Sequence, residues 1–416
     1  MRFEATGGAQ RLDGSTALRV FIPFSMGYFL SYVFRTVNSV IAPNLVADTG
    51  INAADLGLLT SAFFFAFALA QLPLGLLLDR FGPRRVEAGL LLAAAAGCLV
   101  FAVGDGLASL MLGRALIGLG VSACMMGAFK AFVQWFSRPR IPLVNGLLLA
   151  VGGTGALAAT APVEWYLGFA DWRSLFIGLA VGTAVVAAAL VTVVPEHEEE
   201  PAHLTVRSQL GGLATVFRDR YFWRLAPLTL VSQGVFLAVQ GLWAGPWLRD
   251  VAGLDRAQVA WHLLALAVAV VCGFLLSGTV AERLARRGIR AGTVAVGGMT
   301  GFLLFQVLLV VAPPQASLVL WIGFGVLGTT GTLPYAALSQ HFHGQLAGRA
   351  NTALNVLVFA VAFAVQWGIG GVLHLWEDPV TNTYGALGYH VSFTVLCILQ
   401  AAGLVWFWLG RREGDE

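Results

Sequence analysis

The chain is short of charge. Charged residues make up 11% of its 416 positions, against about 25% in a soluble domain. That shortfall excludes an ordinary water-soluble fold. With 58% hydrophobic residues, it leaves a polytopic membrane protein. The apolar runs are long and do not alternate, which excludes a membrane β-barrel. There are four cysteines, Cys98, Cys124, Cys272 and Cys397. All fall in apolar runs without metal-ligand spacing, so they read as small packing residues. No His/Cys/Asp cluster implies a metal, and no glycine-rich strand-to-helix loop implies a nucleotide. No cofactor is therefore expected, nor ATP as the energy source. A net charge of +3 arises from an uneven placement of arginines, not from a nucleic-acid surface.

What is present is apolar length. A spanning helix takes about 20 apolar residues, and twelve such stretches lie at roughly 17–45, 53–78, 85–104, 108–136, 142–167, 172–194, 221–248, 257–282, 289–311, 316–338, 347–374 and 387–409. The expected fold class is an all-α membrane protein with twelve transmembrane helices in two six-helix bundles. The first run is too long for a signal-peptide core and reads as mature structure. Twelve spans place both termini on one side. Of the 25 basic residues, nineteen fall on that side and three, Arg173, Arg249 and Arg256, on the other. The positive-inside rule then expects cytoplasmic termini and a cell inner membrane. The longest polar stretch, from Glu196 towards Arg224, divides the chain into residues 1–195, a linker at 196–220 and residues 221–416. Within it Val206, Leu210, Leu213 and Phe217 have helical spacing and read as a short amphipathic helix.

The halves echo each other. Gly75-x-x-x-Asp79-Arg80 follows the second stretch, and Gly278-x-x-x-Glu282-Arg283 follows the eighth. Asn145 and Asn351 open the fifth and eleventh at nearly the same offset. An internal duplication of this kind is the mark of a transporter built from repeats.

Polar side chains inside apolar runs are the candidates for function. A charge near mid-span costs about 2.5–3.5 kcal/mol on insertion scales, so it normally faces the protein interior or a watery cavity. The chain has a single lysine, Lys130, and it lies in the fourth stretch. Arg35 is seventeen or so residues into the first. Two cations with few acids at that depth imply a cavity that takes an anion. Arg35 is either an anion contact or half of an ion pair. Lys130 either faces the cavity, with Gly127 and Gln134 on its side of the helix, or snorkels to the interface. No carboxylate is near it in the sequence, so the substrate is expected to supply its counter-charge. Asn38, Gln240, Asn351 and Asn355 read either as substrate contacts or as interhelical hydrogen bonds. Glu164 reads as the only acid well inside a span; proton coupling and interfacial anchoring both fit it.

Gly75-Leu-Leu-Leu-Asp79-Arg80-Phe-Gly82-Pro-Arg84-Arg85 resembles the signature loop of the major facilitator superfamily, departing at Pro83. With the six-plus-six layout and the degenerate copy at Glu282-Arg283, the resemblance covers the whole chain. It implies a gating role for Gly75, Asp79, Arg80, Gly82, Arg84 and Arg85, and for Glu282 and Arg283 of the second copy; in that family the loop aspartate and arginines tie helix ends together on the cytoplasmic side and favour the outward-open state. Arg114-x-x-x-Gly118-x-Gly120 resembles the family's span-four motif, and implies for Arg114 either a packing role or proton coupling. Gly27-Tyr-Phe-Leu-Ser-Tyr-Val-Phe-Arg35 and Asp55-Leu-Gly57 are similar to organophosphate:phosphate antiporters, where the span-one arginine grips the anion. The position of their second arginine, in span seven, is Ala238 here, so the resemblance points to an organic anion and not to phosphate esters. Gly152-Gly-Thr-Gly155 with Pro162 only loosely resembles the pattern of drug antiporters.

The expectation is a non-enzymatic secondary transporter, monomeric in the lipid bilayer, that takes up a small organic anion with protons. An efflux antiporter for drugs or acidic metabolites is the alternative. A non-transporting membrane sensor is the alternative of another class.

Overall fold

The structure, a computed structural model, describes residues 14–137, 140–196, 213–342, 345–378 and 383–410. Most of the expected linker helix, including Val206 and Leu210, lies outside the described residues. Among them, eleven helices are long and apolar enough to cross a membrane. One, Ala53–Val103, has 51 residues, more than twice what one crossing needs. It is two spans. Gly82 leaves helical geometry at φ 74°, ψ 158°, a positive-φ backbone open to glycine, and Pro83 is tolerated in the first turn of the helix that follows. The chain therefore makes twelve crossings, in two sets of six.

Local chemistry starts several of these helices. Asn52 caps the second span by accepting from the Asp55 amide at 2.8 Å. Asp171 and Asp219 cap the sixth and seventh in the same way. Asp255 and Gln258 form a reciprocal capping box on the eighth. Such a cap satisfies amides that no turn of the helix can reach.

Spans one, four, seven and ten are each interrupted near mid-length. Span one breaks between Gly14–Thr36 and Asn38–Thr49, and span four between Leu107–Gly120 and Cys124–Trp135. Span seven passes through a π turn, Val239–Trp243, and span ten through a 3-10 turn, Thr329–Thr332. The first, fourth, seventh and tenth spans hold equivalent places in two six-span repeats. Span five is also broken, between Ile141–Ala158 and Ala161–Leu167. Hydroxyl groups take part in four of these breaks: Ser122 donates to the Leu119 carbonyl in span four and Thr160 to the Leu157 carbonyl in span five. Thr36 donates to the Tyr32 carbonyl and Ser39 to the Thr36 carbonyl. Thr329, Thr330 and Thr332 each donate to a carbonyl one turn back. This back-bonding bends helices.

The halves meet closely at the end away from the termini. A methyl group at Gly245 of span seven would collide with the Ser39 carbonyl of span one, and one at Gly57 of span two would lie 2.9 Å from the Gln366 carbonyl of span eleven. A two-residue hairpin, β1 (Glu377–Asp378) with β2 (Thr383–Tyr384), lies between the last two spans.

Candidate functional site

A cavity of about 370 Å³ lies between the halves. Its deepest charged group is Arg35, at the end of the first piece of span one. Span seven approaches here through its π turn, where a methyl at Gly241 would be 3.2 Å from the Arg35 carbonyl. The same turn carries Gln240 in the cavity wall. Single-turn π insertions recur at functional sites because they re-aim side chains. From Arg35 the lining runs toward the end that carries the termini, reaching Phe129 of span four and Asn351 of span eleven. The cavity is thus closed at one end and reaches toward the other.

Arg35 is enclosed by rings. Its guanidinium carbon lies 4.9 Å from the Tyr32 centroid, 5.7 Å from Phe67 and 5.5 Å from Phe359. Phe67 belongs to the first half and Phe359 to the second, and their centroids are 4.2 Å apart. The Arg35 Nε is buried without a hydrogen-bond partner among the described residues. Among the described residues the lining holds no carboxylate and no second cation. Its other polar groups are amides and hydroxyls. Gln233 donates to the Gly328 carbonyl at 2.9 Å, Tyr335 to Asn355 Oδ1 at 3.1 Å, and Asn351 to Ser339 at 2.8 Å. The Asn351 Oδ1 is buried without a partner.

Of the residues singled out from the sequence, Arg35, Gln240, Asn351 and Asn355 line this cavity. Lys130, Gln134 and Asn38 do not. Lys130 is the main correction. Its Nζ lies 2.8 Å from Asp79 Oδ1 and 2.8 Å from the Leu78 carbonyl. The long stem carries the ammonium toward the end of span two, where a carboxylate 51 residues away in sequence is its neighbour in space. Gln134 lies one turn further toward that end. Asn38 donates to Thr60 at 3.1 Å and joins spans one and two.

The other members of the signature loop bind within the first half. Arg84 donates to the carbonyls of Leu190, at 3.3 Å, and Val191 in span six. Arg85 pairs with Glu196, and Arg80 lies over the Phe81 ring at 5.2 Å. Gly82 makes the turn itself and Gly75 is exposed. In the second copy Glu282 pairs with Arg286 at 2.7 Å on its own helix, and Arg283 is exposed. Arg114 is buried and donates to the Phe34 carbonyl at 3.1 Å, with its guanidinium over Phe63 at 5.1 Å. It braces the turn of span one that precedes Arg35.

Glu164 belongs to an ion pair across the halves. Its carboxylate meets Arg256 of span eight, whose other nitrogen donates to Asn44 of span one at 2.7 Å. Sequence reasoning missed a second interior acid, Glu87, which is fully buried in span three. It also missed the aromatic enclosure of Arg35. The expected third stretch starts at residue 85, which leaves Glu87 within a turn of its end; the turn at Gly82 brings that helix start, and Glu87 with it, into the bundle.

A profile of the Major Facilitator Superfamily matches residues 24–366. The chain is 26% identical to a probable sulfoacetate transporter of Cupriavidus necator over 83% of this chain and 84% of that protein. It is 25% identical to a gentisate transporter of Corynebacterium glutamicum, over 91% and 83% of the two chains. Among solved structures, a bacterial homologue of the human lysosomal transporter Spinster, inward-facing and unoccupied, superposes with a TM-score of 0.75 at 14% identity, covering 96% of this chain and 97% of that one.

Proposed function

The chain belongs to the major facilitator superfamily, and from that membership we propose that it is a secondary active transporter of a small organic anion, moving it by alternating access and taking it up with protons through the cell inner membrane. The observation that carries this reading is Arg35. Arg35 is half-buried in the cavity wall with its Nε out of reach of water, and a guanidinium so placed favours a counter-charge. The three rings around it supply roughly 0.5–2 kcal/mol apiece, and the cavity wall has no acid to complete the neutralisation. An anionic ligand would. The planar fork suits a carboxylate or sulfonate, which it can grip with two parallel hydrogen bonds. Gln233, Gln240, Asn351 and Asn355 come from the second half, so an anion on Arg35 would touch both halves and bias their relative position. The two relatives named above are called after sulfoacetate and gentisate, both organic acids. With the cytoplasmic termini expected from arginine placement, the open end of the cavity faces the cytoplasm.

The test is a thermal-shift screen of the purified protein with small carboxylates and sulfonates, sulfoacetate and gentisate among them. A ligand at a hundred times its dissociation constant stabilises by about 2.7 kcal/mol. An organic anion should raise the melting temperature of the wild type. It should do so less for Arg35→Lys, which keeps charge but loses the fork, and not at all for Arg35→Ala. Equal stabilisation of Arg35→Ala would reject the assignment, as would stabilisation by neutral or cationic compounds alone.

A further inference from the structure

Glu87 has no exposure to solvent and lies where three helices meet. A methyl added at Gly27 of span one would collide with its Oε1, and one at Gly127 of span four would lie 2.6 Å from its Oε2. The carboxyl group fits only because both neighbours lack a side chain. Neither oxygen has a hydrogen-bond partner among the described residues. A buried carboxylate without a cation or a strong donor is among the costliest groups a fold can hold, and binding a proton removes most of that cost.

No cation among the described residues neutralises it. From span four the thiol of Cys124, a weak donor, lies beside it. From span one, Tyr28 adjoins Gly27, with its hydroxyl directed to Tyr32 and Met125. On its own helix, Arg84 is committed to the carbonyls of Leu190 and Val191. Lys130 lies one turn beyond Gly127 but is held by Asp79. Arg35 is about two turns beyond Gly27 and faces the cavity. Tyr28 and Met125 are themselves part of the cavity wall, so Glu87 sits directly behind it.

We infer that Glu87 is a proton-binding site of the first half, occupied in the state seen here and emptied when spans one, three and four shift against one another. On release the O–H bond breaks, the proton passes to water entering the cleft, and the electron pair stays on the carboxylate. The nearest ammonium is then Lys130, which Asp79 holds in this state. Ionised Glu87 and the signature-loop aspartate thereby become alternatives for one cation, and protonation of Glu87 leaves Lys130 to Asp79. The inference deepens the proposed proton-coupled uptake and rests on it for its role, but the occupied site stands without any anion.

Two measurements test it, and neither uses the transported anion, so failure of the anion assignment would leave both intact. Infrared absorption of the wild type in lipid discs at neutral pH should show a carbonyl band of a protonated carboxylic acid. That band should vanish in Glu87→Gln and in Glu87→Met, the second variant guarding against misfolding of the first, and persist in Asp79→Asn. Spectra unchanged by both substitutions would overturn the inference. In the second measurement, Ser39→Cys reports opening of the far end through labelling by an impermeant thiol reagent. Labelling should vary with pH in the otherwise native protein and become independent of pH when Glu87→Gln is added. An unaltered pH profile would make the Glu87 proton a static feature and overturn its role in coupling.

Discussion

At the end of the bundle that carries the termini, the ion pairs between described residues do not cross between the halves: Asp79 of span two meets Lys130 of span four, Arg85 meets Glu196 just beyond span six, and Glu282 meets Arg286 on its own helix. At the other end Glu164 of the first half meets Arg256 of the second, and Gly245 and Gly57 let backbones of opposite halves touch. The contrast separates two jobs. A contact inside one half is not broken by rocking alone, so it does not by itself set the relative position of the halves. A contact between halves exists in only one state, and its free energy sets the population. In the state seen here the described ion pairs of the signature loop do not reach the second half, while Arg256 reaches Glu164 and Asn44 across the halves.

The strongest way to break this contrast is to wedge the closed end. Gly245→Leu places a side chain on the Ser39 carbonyl, and a packed interface has no slack to absorb it. The far end should stay open. Uptake should fall more than tenfold, and labelling of Ser39→Cys from outside should become nearly complete. Normal uptake would show that the close approach of spans one and seven is not required for the cycle.

Next in size is Lys130→Gln. Lysine and aspartate are 22% and 29% exposed, so the charged hydrogen bond falls between a surface pair and a buried one, and its loss should cost about 1–2 kcal/mol of stability. Anion affinity should change less than twofold, and labelling at the far end should not change. Adding Asp79→Asn should then cost little more, because the two side chains act as one pair. Loss of anion binding with unchanged stability would instead place the lysine in the cavity and erase the distinction between the two ends.

The smallest expected effect is that of Arg256→Ala. Arginine and glutamate here are 50% and 19% exposed, and pairs of that kind are worth about 0.2–1 kcal/mol. The far end should open between slightly and fivefold more often, read from the rate of Ser39→Cys labelling. The same substitution should leave thermal stability almost untouched. A large loss of stability without a change in labelling would mean that Arg256 braces its own half.

Much of the architecture could be read before any coordinates. The apolar lengths, the arginine asymmetry and the repeated Gly75 and Gly278 patterns led to twelve spans in two sixes, because the bilayer leaves a chain few ways to satisfy its backbone. Arg35 was legible for the same reason: a charge in the middle of an apolar run has to have a use. Lys130 was legible as unusual but not as to its partner. Its depth had been judged along one helix, while Asp79 had been assigned to a loop. Glu87 escaped notice because it lies within a turn of the expected start of the third stretch, and the turn at Gly82 decides how deep that start sits. Nothing in the local pattern announced the π turn at Val239–Trp243, or that Phe67 and Phe359 would close on the same guanidinium.

The sequence by itself determined that this protein lives in a membrane, how many times it crosses, that its halves repeat, and that a cation lies at mid-depth. These are consequences of transfer free energy, which acts residue by residue and is summed along the chain. Only the tertiary structure decided which cation faces the cavity, which acid pairs with Lys130, which acid stands alone between Gly27 and Gly127, and which end of the bundle is shut. Those are properties of pairs on different helices. Coulomb attraction and packing act through space over a few ångströms, and no single run of residues records what will come to lie beside it.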